Sequence, residues 1–282
     1  MMTRRLAKLH PVIVCCAKPA RKTLLPAEEG VDRRRQDAGA SSGIANGGVV
    51  VMLRVLALVM LFSTARDATA ALADARQDCQ MLRGDAAIQA CDLAIGEFPR
   101  DAEAHKNRGN AYLAKGDLDG VIADYTKAIE INPKDADAHN NRGYAYETKG
   151  DFDRAIADFT NAIEIDPKDA DAYINRCWLR ATANRDLTLA FADCDTGLRL
   201  APNDANDLDS RGFLYLRLGR LDEAIADYDA ALKTNPRLAG SLYGRGLAKR
   251  KKGDQAGGDA EIAAARAIQA DIAEEFAKYG MN

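Results

Sequence analysis

A single tryptophan and three histidines occur among 282 residues, and aromatic residues make up only 6%. Alanine, by contrast, is abundant. Few rings and much alanine argue against an all-β sandwich and for helices whose backbones pack closely. The sequence has no H-E-x-x-H, no G-x-S-x-G and no phosphate-cradling glycine loop, so the common catalytic strings are missing. Gly244-Arg245-Gly246 is a G-x-G without its third glycine, set inside a helical pattern. His105 and His139 hold the same place 34 residues apart, which marks packing rather than a ligand pair, and His10 stands alone near the start. No C-x-x-C accompanies the six cysteines, so no metal site is expected. The reading is of a non-enzyme with no catalytic residues and no cofactor.

Positive charge is scarce where a nucleic-acid binder would need it. Residues 72–282 carry 28 Lys/Arg against 37 Asp/Glu, while residues 1–51 carry nine against four. An acidic body cannot neutralise phosphates, so no nucleic-acid partner is expected. Long apolar runs are absent too, with one exception. Val49 to Phe62 is apolar apart from Arg54, and Ala68-Thr69-Ala70 follows. These are the parts of a secretory signal over residues 52–70: Arg54 as basic region, Val55 to Phe62 as apolar region, and cleavage after Ala70. The expected location is therefore periplasmic or secreted, with no stable membrane span after processing; the alternative is a membrane anchor over residues 49–65. Residues 1–51 hold no lasting period, contain Pro11, Pro19, Pro26 and Arg33-Arg34-Arg35, and read as disordered or as an over-extended start.

What the sequence does have is self-similarity. Pro99, Pro133, Pro167, Pro202 and Pro236 lie 34, 34, 35 and 34 residues apart. Asn107-Arg108-Gly109 returns as Asn141-Arg142-Gly143, and Val121-Ile122-Ala123-Asp124-Tyr125 as Ala155-Ile156-Ala157-Asp158-Phe159. Each unit shows two helical patterns separated by a break such as Gly116-Asp117, where glycine supplies a left-handed cap and aspartate caps the next helix. Asp135, Asp169 and Asp204 follow the prolines as helix caps. Gly109, Tyr112, Gly116, Val121, Tyr125, Ala128 and Pro133 stand in an order that resembles the tetratricopeptide repeat, a 34-residue helix–turn–helix unit. The departure is Arg108 and its equivalents, where the family usually has leucine.

The resemblance implies an all-α, right-handed α-solenoid of about six helix–turn–helix units over residues 71–282. The expected units are about 71–101, 102–135, 136–169, 170–204, 205–238 and 239–270, with a capping helix at 271–280. Arg108, Arg142, Arg176, Arg211 and Arg245 are matched sixteen or seventeen residues on by Asp124, Asp158, Asp193, Asp227 and Glu261. These read as charge-assisted pairs between the two helices of a unit; an arginine stripe recruiting an acidic ligand is the rival reading. Cys177 takes a glycine place and Cys194 an aromatic one, places that face each other in such a unit, and Cys79 and Cys91 also lie on opposite helices. In an exported chain this suggests disulfides Cys177–Cys194 and Cys79–Cys91; four reduced buried thiols are the alternative. The run Lys249 to Lys252 reads as a solvated helix end.

The resemblance also implies that first helices line a concave surface that binds extended peptides. The places expected to be exposed there hold Lys106, Asn107, Asn110, Asn140, Asn141, Tyr144, Thr148, Asn175, Trp178, Asp209, Phe213 and Tyr243. In one binding subgroup a Lys, two Asn and a further Lys and Arg clamp a terminal carboxylate. Lys106, Asn110 and Asn141 match, but Asp171 and Asn175 fill the last two places, so the clamp is incomplete. Tyr144, Trp178 and Phe213 share one place in successive units and form an aromatic strip, for ligand or for packing. The expected function is a protein–protein interaction scaffold for a peptide or partner protein. An accessory subunit recruiting a cell-envelope enzyme, or a self-assembly module forming an oligomer, is the alternative.

Overall fold

The computed structural model of the protein describes residues 75–281. The proposed start, signal and anchor segments (1–51, 52–70 and 49–65) lie outside the described residues. Among those described there is no strand, and no helix is long and apolar enough to cross a membrane. The described part of helix α1 covers 75–81 and is followed by α2 (Gly84–Glu97). Helix pairs then succeed one another: α3 (Ala102–Lys115) with α4 (Leu118–Ile131), α5 (Ala136–Thr148) with α6 (Phe152–Ile165), and α7 (Ala170–Thr182) with α8 (Leu187–Leu200). Next come α9 (Ala205–Arg217) with α10 (Leu221–Thr234), α11 (Ala239–Lys251) with α12 (Gln255–Ile268), and last the short α13 (Ile272–Lys278).

Local chemistry sets these boundaries. Asp101, Asp135 and Asp169 accept from the backbone N–H three residues on and start the first helices; Asp117 and Asp151 do the same for the second helices. Gly116 ends α3 at φ +75°, a left-handed position that costs glycine nothing. In the α7–α8 unit Asn184 takes that place at φ +53°, and the extra residue after it leaves Asp186 at φ +44° without a side-chain cap.

The two helices of each unit pack most closely on each other, and each second helix leans on the first helix of the next unit. The first helices α7, α9 and α11 also touch in series, so first helices form the inner face of an all-α solenoid. Close approach within a unit needs a small residue. A Cβ on Gly143 would lie 2.9 Å from the ring of Phe159, which is wholly buried. In the next unit Cys177 and Cys194 take those two places, with Cα atoms 5.3 Å apart and sulfurs at 1.93 Å. Cys79 and Cys91 bridge α1 and α2, with Cα atoms 4.6 Å apart and sulfurs at 2.04 Å.

Candidate functional site

The arginines of the first helices face inward to their own unit. Arg108 donates through Nε and Nη2 to Asp124 at 2.8 and 2.7 Å. Arg142, Arg176 and Arg211 make the same two-pronged grip on Asp158, Asp193 and Asp227, and Arg245 holds Glu261 at 2.8 Å. Such forked pairs are the strong form of a charged hydrogen bond. These arginines are therefore engaged inside the stack. His105 joins Asp124 through Nδ1 at 3.1 Å and meets the Pro99 carbonyl through Nε2 at 3.2 Å. His139 repeats this with Asp158 and the Pro133 carbonyl. Burial raises the Asp158 carboxyl, but hydrogen bonds from Arg142 and His139 outweigh it and hold the group below the usual carboxylate range.

The inner face has two different halves. Toward the N-terminus, Lys106, Asn107, Asn110, Asn140, Asn141 and Asp171 line a polar cleft of about 720 Å³. Its other charges are Glu103, Asp137, Asp166 and Asp169 against Lys168. Lys106 is already committed, 2.8 Å from both Asp135 and Glu103. Burial lowers its ammonium, yet the two acids carry it above its ordinary value. Asn110 accepts from the Tyr125 hydroxyl at 2.5 Å. Burial and the nearby Asp171, Asp137 and Asp166 push Asp169 up to about 6. The cleft is thus short of positive charge, which disfavours capture of a terminal carboxylate there.

Toward the C-terminus the face is covered. Helix α13 sits where a capping helix is expected, but its rings cross the inner face. Phe276 packs on Tyr243 and Phe213, with ring centres 4.7 and 5.7 Å away. Tyr279 stands edge-on to Trp178 and Phe213 at 5.6 and 5.8 Å. The expectation of exposed side chains is corrected for this half: Trp178, Phe213 and Tyr243 are buried because α13 lies over them. Asp209 is buried too, accepting from Ser241 Oγ at 2.5 Å. The same correction applies to Asn140 and Asn175, which are buried against each other by a 3.0 Å hydrogen bond. Tyr144 and Thr148 stay accessible and line a second cleft of about 750 Å³ with Asn175, Trp178 and Tyr279.

This geometry has counterparts among known proteins. Residues 109–150 and 212–253 match the family described as TPR repeat, and residues 136–169 match the tetratricopeptide repeat itself. The chain carries tetratricopeptide repeats over residues 109–169 and 212–253. Among solved structures it is similar to YrrB, a TPR protein with an unusual peptide-binding site: 24% identity, 65% of this chain and 94% of that one, TM-score 0.52. It is similar to a tetratricopeptide repeat protein from Parabacteroides merdae ATCC 43184, at 19% identity over 69% of this chain and 82% of that one, TM-score 0.56. The MamA protein shares 21% identity over 61% and 94% of the two chains, TM-score 0.50. At these identities the likeness is one of fold. No curated protein matches the chain.

Within this tetratricopeptide repeat chain two sets of residues escaped the sequence reading. The third nitrogen of each ladder arginine reaches back one unit: Arg108 to Asp92 at 2.6 Å, Arg142 to Thr126 at 3.1 Å, Arg176 to Thr160 at 3.0 Å and Arg245 to Asp229 at 2.5 Å. Arg211 approaches Asp195 at 3.7 Å. Their 34- and 35-residue spacing was a usable signal, hidden because the place holds Asp in three units and Thr in two. The second set is the acids around the basic run, which lies at a solvated helix end as expected, with Arg250, Lys251 and Lys252 exposed: Asp259 pairs with Arg250, Asp222 with Lys252, and Glu261 with Lys249 as well as with Arg245.

Proposed function

We propose that this repeat protein is a non-enzymatic scaffold that holds a basic, extended segment of a partner protein in the polar cleft of its inner face. The observation that carries this is the charge of the cleft. Glu103, Asp137, Asp166, Asp169 and Asp171 stand against Lys106 and Lys168, and Lys106 is already held by two acids. A lysine or arginine entering there relieves mutual repulsion among the carboxylates. Asn107 and Asn141 hold the same place in adjacent units, and each amide offers both a donor and an acceptor to a peptide backbone. The two bonded cysteine pairs, together with the signal-like residues 52–70, support export to an oxidising compartment.

The test is a random-peptide library selected on the full chain. Enriched peptides should be rich in Lys and Arg, and an Asn107→Ala/Asn141→Ala variant should bind them about tenfold more weakly, a loss of about 1.4 kcal/mol. Enrichment of acidic peptides, or of binders that need a free C-terminal carboxylate and ignore those asparagines, overturns the reading. N-terminal sequencing of protein from cells tests export separately. A start at Ala71 supports it, and recovery of intact residues 1–48 counts against it.

A further inference from the structure

The C-terminal half of the inner face holds a guest that fits its apolar surface better than its polar one. Ile272 and Phe276 are buried, and the rings of Phe276 and Tyr279, three residues apart, fill the strip formed by Trp178, Phe213 and Tyr243. The polar match is poor. The Arg217 guanidinium is half-buried against the Phe213 ring, 5.4 Å from its centre. Nη2 donates to the Tyr279 backbone carbonyl, and Nε is buried with no hydrogen-bond partner. Among the described residues no carboxylate forms an ion pair with Arg217, unlike the arginines of the ladder. Burial without an opposing acid lowers its pKa. On the far side of Tyr279 the groove stays open, and Tyr144, in the place equivalent to Trp178 one unit earlier, lines that opening.

A seven-residue helix has no stability of its own in water. Its helical state here depends on the strip beneath it. A guest with good rings, a neutral carbonyl where a guanidinium waits, and unfilled groove beyond it is one that a better-matched segment can replace.

We propose that the Trp178–Phe213–Tyr243 strip is a docking site for a short helix of a partner protein. That helix carries two aromatic residues three positions apart and a carboxylate at Arg217, and α13 occupies the site in its absence. The aromatic spacing is copied from Phe276 and Tyr279; the carboxylate is what Arg217 lacks. This surface is distinct from the polar cleft, and neither proposal depends on the other.

The experiment uses the full chain, a Phe276→Ala/Tyr279→Ala variant of it, and two peptides of residues 269–279. One peptide ends in a free carboxylate and the other in an amide, so the group that meets Arg217 is charged in one and neutral in the other. The variant should bind the acid peptide at least tenfold more tightly than wild type, with a change in the fluorescence of Trp178, the sole tryptophan. The acid should bind about tenfold more tightly than the amide, and adding Arg217→Ala should erase that difference. A variant that keeps its helical signal but binds no better than wild type overturns the proposal, because the strip is then fixed core. If the variant loses its fold, hydrogen exchange on wild type decides: excess acid peptide should speed exchange of the α13 amides, and unchanged exchange overturns the proposal. Dimers that trade α13 between copies, seen by sedimentation, also overturn it, since the occupant is then a second copy.

Discussion

Arg142 grips Asp158 with two nitrogens, each 2.8 Å from a different carboxylate oxygen, and spends its third on Thr126 of the unit before. Asp158 is buried and also takes the Nδ1 of His139. One carboxylate thus ties two helices of its own unit while steadying an arginine that reaches a third.

Removing that carboxylate leaves a largely buried cation without its partner. Asp158→Ala should lower stability by about 3 kcal/mol in urea unfolding, the cost of breaking a buried pair from one side. Asp158→Asn, which keeps an acceptor, should lose less. The native carboxyl is held below its usual range, so its contribution is present above the unfolded pKa of about 3.9 and disappears as pH falls through the native value. A urea midpoint shared by wild type and Asp158→Ala would show that water serves Arg142 equally well.

Cys177 and Cys194 are both fully buried, so a bond between them resists reduction until the chain opens. Thiol labelling of native protein from cells should leave both unmodified without reductant, and non-reducing mass spectrometry should recover them linked. Closing a 17-residue separation should be worth about 3 kcal/mol, read as a fall in unfolding midpoint when reductant is added to the unfolded chain before refolding. Free thiols at both positions would refute the pairing.

A cationic peptide in the polar cleft should bind better as pH rises through about 6. Asp169 stands at about 6 in the free protein because burial and neighbouring acids favour its protonated form. A bound lysine favours the ionised form instead, so binding and deprotonation reinforce each other. Titrating a lysine-rich peptide between pH 5 and 7.5 at fixed salt reads this out. Affinity that is flat, or that falls with pH, contradicts the assignment of the cleft.

Helix α13 should loosen as pH rises. Burial pushes Asp209 up to about 7, although the Ser241 hydroxyl works against the shift and Glu275 adds to it. Tyr228 on α10 feels the same carboxyl, and Glu275 on α13 is itself raised by burial. The folded state therefore holds a proton that the unfolded chain releases near pH 3.9. Stability from this site is full below that pH and is lost as pH climbs to about 7. Hydrogen exchange of the α13 amides should quicken between pH 5 and 8 after correction for intrinsic rates. Asp209→Asn should flatten the rise, and an unflattened rise would place its cause elsewhere.

The ladder was legible because Arg108 and Asp124 are separated by one helix and one turn, and the interval returns with each proline. Caps such as Asp135 were legible for the same reason: their hydrogen bonds close within three residues. The fate of Trp178 was not. Its burial is imposed by Tyr279, a hundred positions away on a segment outside the repeat, and a short tail with two rings carries no periodicity that says where it lands. The Asn140–Asn175 pair was missed on similar grounds, since two asparagines one unit apart read equally well as a ligand surface and as partners of each other.

The backward reach of the arginines has a bearing on how such a chain can change length. Asp92, Thr126, Thr160, Asp195 and Asp229 sit at matching positions, so an arginine can be served by whichever unit happens to precede it. Excising residues 136–169 would bring Arg176 against Thr126 in place of Thr160, with no charge orphaned at the junction. The seam between modules is generic, and a duplicated or deleted repeat can be accommodated without a second, compensating substitution.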